Sequence, residues 1–153
     1  MSTDGDEDVL DLLHAARNDE FETVINYQTD AIAIEGVTAE EVAEGLRADV
    51  EEELGHAETL GERITQLGGQ PKGSFEMEMG QESLQPPEDT TDVLSVIDGV
   101  IEAEQGAVET YRDLIEAAEA ADDPVTEDLA TELLADEEEH LAEFEGFKAE
   151  FDD

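Results

Sequence analysis

The chain reads as an all-α protein, a four-helix bundle with a long crossover between the second and third helices. Three observations predict it. Apolar residues recur at steps of three and four through four long stretches. Only a few residues separate the first stretch from the second, or the third from the fourth, so each pair folds as antiparallel neighbours. Finally, Glu53-Leu54-Gly55-His56 recurs as Glu137-Glu138-Glu139-His140, an offset of 84 residues (137 − 53; 140 − 56) that also relates Glu20 to Glu104 and Tyr27 to Tyr111. The chain is thus an internal duplication of its functional residues, although the stretches between them have diverged.

The first helix is expected over about 8–35, after an acidic start that frays. Its inward stripe is Leu10, Leu13, Ala16, Arg17, Glu20, Thr23, Val24, Tyr27, Ala31 and Ile34, and Gly36 is its stop signal. Thr38-Ala39-Glu40-Glu41 reads as a capping box opening a second helix over about 39–68. That helix turns Val42, Leu46, Asp49, Val50, Glu53, His56, Ala57, Leu60, Ile64 and Leu67 inward, and Gly68-Gly69 ends it. Residues 69–90 carry Gly69, Pro71, Gly73, Gly80 and Pro86-Pro87, which break the period. A structureless connection of this length needs a purpose, and a crossover along the bundle provides one. Phe75, Met77 and Met79 alternate with polar residues, so this strip is expected to lie extended with one face down, the methionines packing rather than ligating. Asp89-Thr90-Thr91 is expected to cap a third helix over about 91–121, with Val93, Ile97, Val100, Ile101, Glu104, Ala107, Val108, Tyr111 and Ile115 inward. The fourth, about 124–150, opens on Asp123 as N-cap and Pro124 at the first helical position. Its stripe is Leu129, Leu133, Leu134, Glu137, His140, Leu141, Phe144 and Phe147. With 153 residues, the whole chain 1–153 is expected to form one domain with a full core.

Asp and Glu number 46 against 6 Lys and Arg, a formal charge of −40. Self-repulsion of this size opposes a compact fold in dilute buffer and calls for screening ions, the pattern of a surface adapted to multimolar salt in a halophile. Nucleic acid is disfavoured as a partner, because Arg17, Arg47, Arg63 and Arg112 are scattered singly rather than clustered. There is no cysteine, hence no disulfide framework or thiolate metal site. Neither a basic, apolar leader nor an uninterrupted apolar run of bilayer length occurs, so no membrane association and a cytoplasmic location are expected.

A Glu and a His three apart lie on one face of a helix and can serve one metal. Glu20 precedes the first turn by about as many residues as Glu53 follows it, and Glu104 and Glu137 bracket the second turn likewise. At roughly 1.5 Å per residue, Glu20, Glu53, His56, Glu104, Glu137 and His140 meet within one to two turns of one level of the core. Four carboxylates and two imidazoles in a low-dielectric core require cations. Two divalent metals are the natural answer, and an oxygen-rich set with two imidazoles suits iron or manganese. Asp136 and Glu52, each one residue before a Glu of the Glu-x-x-His pairs, are candidates to orient the opposite histidine, Asp136 more so than Glu52. Tyr27 and Tyr111 read equally as core tyrosines with a hydrogen bond or as partners of the site. His14 lacks a helical partner and reads as a surface histidine.

Several stretches carry a family resemblance. Glu20-Phe21-Glu22-Thr23-Val24-Ile25-Asn26-Tyr27, Glu53-Leu54-Gly55-His56-Ala57 with Glu62-Arg63-Ile64, and Asp136-Glu137-Glu138-Glu139-His140 resemble bacterioferritin. Leu133 to Phe147 and the Asp123-Pro124-Val125-Thr126 turn resemble archaeal Dps-like miniferritins. Nearly the whole chain except the crossover is similar to this ferritin-like superfamily. The resemblance implies a ferritin-like bundle in which Glu20 and Glu104 are terminal ligands, Glu53 and Glu137 bridges, and His56 and His140 hold one metal each. It further implies a non-haem di-iron ferroxidase with two iron ions per subunit (or manganese), oxidising Fe(II) with O2 or H2O2. Iron storage and oxidative-stress protection in a hollow homo-oligomeric shell would follow. Leu54 stands where bacterioferritins carry a haem-binding Met, so no haem is expected. About 13 residues follow His140, too few for a fifth helix, which favours a dodecamer over a 24-subunit shell. The cysteine pair of some miniferritins and any rubredoxin-type cluster are missing. The alternatives are a manganese catalase, a substrate oxygenase or a rubrerythrin-like peroxidase on the same fold, a DNA-protecting Dps-type protein, and an acidic bundle with no metal.

Overall fold

In the computed structural model, which describes residues 4–151, the order of long elements is α1 (Asp4–Ala33), α2 (Ala39–Gln66), α3 (Val93–Ala120) and α4 (Pro124–Ala149). Among the described residues there is no β-strand, and the crossover contains one short 3-10 turn at Ser74–Glu76. Gly36 takes φ +114°, a left-handed value that favours glycine and reverses the chain between α1 and α2. Asp123 caps α4 through its side chain, which accepts the Thr126 amide at 3.1 Å, and Pro124 follows at the first turn. Arg63 at the end of α2 ties the same corner, donating to Thr126 Oγ1 at 2.9 Å and Asp123 Oδ1 at 2.8 Å.

α1 packs on α2, α3 packs on α4, and α1 with α3 joins the two hairpins. The direction of each cross-hairpin contact can be read from residue sums. Tyr27–Glu104 and Tyr111–Glu20 share one sum, as do His56–Asp136 and Glu52–His140, so α1 runs antiparallel to α3 and α2 to α4. Two apolar layers fill the ends of the bundle. One holds Ile34, Val42, Leu46, Ile97, Val100 and Phe144; the other holds Leu13, Leu60, Ile64, Leu114, Ala130 and Leu133. The titratable residues form a polar layer between them.

The structure corrects four expectations for the helix ends and the crossover, and one for His14. α1 starts at Asp4, earlier than the apolar period, because Asp4, Asp6 and Glu7 complement the positive end of the helix dipole. The capping box at Thr38 does not form: Thr38 is already helical, and its side chain makes no cap bond. Asp92 rather than Asp89 caps α3, accepting the Ser95 amide at 3.2 Å, while Asp89 closes its own turn onto Thr91. The crossover, lastly, is not held by an alternating apolar face. Phe75 is fully exposed (102%) and Met79 half-exposed. Polar side chains on α1 hold it instead: Asn18 pairs with the Glu78 backbone at 2.7 and 2.9 Å, Glu22 accepts the Gln81 amide, and Asn26 donates to Gln81 Oε1 at 3.1 Å. Beyond these, Leu84 (1% exposed) plugs into the core, and the Ser83 carbonyl lies against Gly99 of α3, where a Cβ would sit 2.1 Å away. His14 is half-buried, and its Nδ1 is shielded without a hydrogen-bond partner, so it is not a plain surface histidine.

Candidate metal centre

Helical spacing brings all six sequence-derived side chains into the middle layer, all of them buried. Their donor atoms form two groups. Glu20, Glu53, His56 and Glu137 lie within 4.8 Å of one another, and so do Glu53, Glu104, Glu137 and His140. Glu53 and Glu137 belong to both groups. That is the arrangement of two adjacent cation positions with two carboxylates between them.

The orientation of these groups is more informative than their proximity. Glu20 Oε2, Glu53 Oε1, Glu104 Oε2, both Glu137 oxygens and the Nδ1 atoms of His56 and His140 are buried without a hydrogen-bond partner. His56 Nδ1 lies 3.0 Å from Glu137 Oε1 and His140 Nδ1 3.3 Å from Glu53 Oε1, near enough for ion pairs but without hydrogen-bond alignment. Buried polar atoms are ordinarily paired, and orphans are costly. Donor atoms that aim at common points rather than at each other fit divalent cations, and an oxygen-rich set with one imidazole per position fits iron or manganese.

Outside this shell, four polar atoms of these residues have a hydrogen-bond partner from the other hairpin. His56 Nε2 donates to Asp136 Oδ2 at 2.9 Å and His140 Nε2 to Glu52 Oε2 at 2.7 Å. Carboxylates accept only, so Nε2 carries the proton and Nδ1 is left to face the centre. Both residues expected to orient a histidine are therefore in contact with one, Glu52 as closely as Asp136. Tyr111 donates to Glu20 Oε1 at 2.8 Å and Tyr27 to Glu104 Oε1. Of the two readings kept open for the tyrosines, the structure joins them: each is a core residue and each holds a carboxylate of the centre. The imidazole planes of His56 and His140 are 18° apart with centroids at 6.4 Å.

Without metal, Glu53, Glu104 and both histidines hold protons. Burial pushes Glu53 well above the usual carboxylate range, with Glu20 and Glu137 adding to the effect. Burial and then Glu137 push Glu104 to about 8. Burial alone would lower the histidines, but the carboxylates of Glu137, Glu20 and Asp136 beside it carry His56 up to about 11, and those of Glu104 and Asp49 carry His140 up to about 10. Burial raises both tyrosines, which stay neutral donors. A metal binding here therefore displaces protons from Glu53 and Glu104 and from Nδ1 of the histidines. Asp49, read in the sequence only as part of the α2 stripe, is buried beside His140 and pushed to about 7 by burial. Nothing in its spacing distinguished it from a packing position.

The ferritin-like domain family model matches residues 10–152. A bacterioferritin of Desulfovibrio desulfuricans is 24% identical over 137 residues, covering 90% of this chain and 72% of the relative. A DNA protection during starvation protein of Pyrococcus furiosus is 33% identical over 146 residues, covering 91% of this chain and 76% of the relative. Among solved structures, a ferritin-like, diiron-carboxylate protein of Bacillus anthracis superposes with TM-score 0.85 at 20% identity, covering 96% of this chain and 99% of the other. A dodecameric thioferritin of Bacteroides fragilis, described as bacterioferritin-related, gives TM-score 0.85 at 25% identity, with 95% and 87% covered.

Proposed function

The chain belongs to the ferritin-like domain family, and on that premise we propose that it is a non-haem di-iron ferroxidase that oxidises Fe(II) with H2O2 or O2 for iron storage and oxidative-stress protection. The observation that carries this reading is the pair of buried donor groups sharing Glu53 and Glu137, with their unpartnered atoms turned toward two common points. Glu20 and His56 would complete one position and Glu104 and His140 the other, with Glu53 and Glu137 spanning both. Bound iron supplies one-electron redox chemistry at neighbouring positions. With peroxide the balance is two Fe(II) and one H2O2 with two protons giving two Fe(III) and two waters, so the O–O bond breaks and each iron gives one electron.

The protein's own residues set the conditions. The carboxylates provide hard, anionic donors that favour Fe(III) over Fe(II). Asp136 and Glu52 hold each imidazole with Nδ1 inward, and Tyr111 and Tyr27 fix the terminal carboxylates Glu20 and Glu104. The same architecture in the dodecameric thioferritin supports a homo-oligomeric shell, with a dodecamer as the expected state. Among the described residues no helix is long and apolar enough to cross a membrane.

Stopped-flow oxidation of Fe(II) by H2O2 and by O2 in multimolar salt tests the reading, with Glu53→Ala as the variant. Wild-type protein is expected to oxidise two Fe(II) per chain rapidly, and the variant to lose the fast phase while keeping its helical circular dichroism. Unchanged kinetics in the variant would remove the assignment.

A further inference from the structure

Away from the paired centre, three side chains that the core does not absorb meet in one place. His14 of α1 and Met77 and Met79 of the crossover line an open cleft of about 770 Å³ between the two segments. Met79 is 50% exposed and Met77 only partly buried, so neither serves as a core residue. The chain has no cysteine and 3 methionines, and this cleft gathers two of them.

The backbone fixes how the two sulfurs are presented. Met77 is extended, with φ −83° and ψ 147°. Asn18 clamps the residue between the methionines: its Nδ2 donates to the Glu78 carbonyl at 2.7 Å, and its Oδ1 accepts the Glu78 amide at 2.9 Å. Residues i and i+2 of an extended strip share a face, so both thioethers leave it on one side. His14 precedes Asn18 by one turn on the same face of α1. The clamp thus keeps the two thioethers in the cleft that the imidazole also lines.

That imidazole is unengaged. His14 has no hydrogen-bond or ion-pair partner among the described residues, and its Nδ1 is shielded. Burial, helped by Lys72 and Arg17, holds its pKa below the ordinary 6.5 against Asp11 and Glu76, so near pH 7 the ring is neutral and keeps a lone pair. Arg17 is committed elsewhere: its Nη1 donates to the Lys72 carbonyl at 2.8 Å, and its guanidinium lies 4.9 Å from the centre of the Phe21 ring. Five acidic side chains line the cleft against two basic ones, a balance that favours a cation over an anion as occupant.

We propose that His14, Met77 and Met79 bind one Cu(I) ion at a site separate from the paired centre. Two thioethers and a neutral imidazole are soft, uncharged donors, which suit Cu(I) and discriminate against Fe(II), Mn(II) and Mg(II). None of the three belongs to either buried donor group, so the site does not rest on the ferroxidase reading.

The test is an anaerobic Cu(I) titration of metal-free, full-length protein in multimolar sodium sulfate, which screens charge without chloride, itself a Cu(I) ligand. Bicinchoninate as competing chelator gives the affinity, and labelled methionine methyl groups report the donors by nuclear magnetic resonance. The first equivalent of Cu(I) is expected to shift the Met77 and Met79 methyl resonances together, saturating at one ion per chain. Met77→Leu and Met79→Leu, which keep side-chain volume, and His14→Gln should each bind at least about tenfold more weakly, and Met77→Leu/Met79→Leu should lose the site. Phe75→Ala, an exposed neighbour on the crossover, should stay within about twofold of wild type. Methyl resonances unmoved by the first equivalent would overturn the proposal. So would wild-type affinity for that equivalent in the double variant or in His14→Gln.

Discussion

Metal removal should reverse the ordinary pH dependence of an acidic protein's stability. Glu104 moves from an ordinary value of 4.5 to about 8 on folding without metal, and Glu53 moves the same way. A carboxylate raised on folding is protonated in the folded state while ionised in the unfolded chain, so the folded state binds more protons and loses stability as pH rises between the two values. The histidines add the same sign: raised from 6.5 to about 11 and about 10, they contribute stability that is present below pH 6.5 and lost only toward those higher values. One extra proton corresponds to about 1.4 kcal/mol per pH unit. From pH 5.5 to 7.5, Glu104 alone therefore removes roughly 2–3 kcal/mol, or about 5–10 °C in Tm for a domain of this size. Asp19, Asp30 and Asp49, raised by burial to about 6, about 7 and about 7, add the same sign in this window. The assay is thermal melting by circular dichroism at fixed multimolar salt, on metal-free protein, on protein loaded with Zn(II) as a redox-silent ion, and on metal-free Glu53→Gln/Glu104→Gln. Metal-free wild type should fall across the window, the loaded protein should be flat or rise, and the double variant should fall less than wild type. A metal-free Tm that rises with pH, or a double variant with the wild-type slope, would refute the reasoning.

Three further outcomes follow from the same geometry. Asp136→Ala should weaken anaerobic Fe(II) binding about 10-fold, the lower end of the usual range for a carboxylate that orients a ligating histidine, because Asp136 is half-exposed and water can replace it; isothermal titration checks this. Gly99→Ala should destabilise the protein by about 1–3 kcal/mol despite alanine's better helix propensity, since its Cβ would meet the Ser83 carbonyl at 2.1 Å; chemical denaturation reads the loss, and a neutral result would mean the crossover does not bear on α3. Dialysis to about 10 mM salt, where the Debye length is about 30 Å, should unfold or disassemble a chain of charge −40; a circular dichroism signal and sedimentation profile unchanged from multimolar salt would remove the halophilic reading.

The parts of the fold that sequence made legible are those governed by local rules. Helical period fixed the inward stripes of α2 and α3, and the i,i+3 relation of Glu53 with His56 and of Glu137 with His140 placed each pair on one face. Spacing about the two turns put all six side chains at one level. What escaped was set by packing between distant segments. Glu22 and Asn26 lie on a second buried face of α1, polar in sequence and indistinguishable from a solvated one, because Gln81 of the crossover bonds to both of them. Phe75 and Met79 alternate as buried positions do, yet they are exposed, since polar bonds to α1 already anchor that segment. Asp49 lay on a correctly placed stripe but carried no motif. Its meaning depends on His140, which is 91 residues away (140 − 49).

The duplication explains why the centre also organises the fold. Each donor group takes three residues from one hairpin and one from the other: Glu20, Glu53 and His56 with Glu137, and Glu104, Glu137 and His140 with Glu53. Neither hairpin holds a complete group. The four hydrogen bonds that orient these side chains, Tyr111–Glu20, Tyr27–Glu104, His56–Asp136 and His140–Glu52, all cross from one hairpin to the other. The two apolar layers lie at the ends of the bundle, so the middle of the interface between hairpins is polar and, without cations, depends on the protons held by Glu53, Glu104 and the two histidines. Cations at the shared carboxylates would replace those protons and join the two hairpins at the level between the apolar layers. Metal binding and the docking of the two hairpins are therefore linked equilibria on the proposed reading, and the residues proposed to hold the metals also bear on whether the bundle closes.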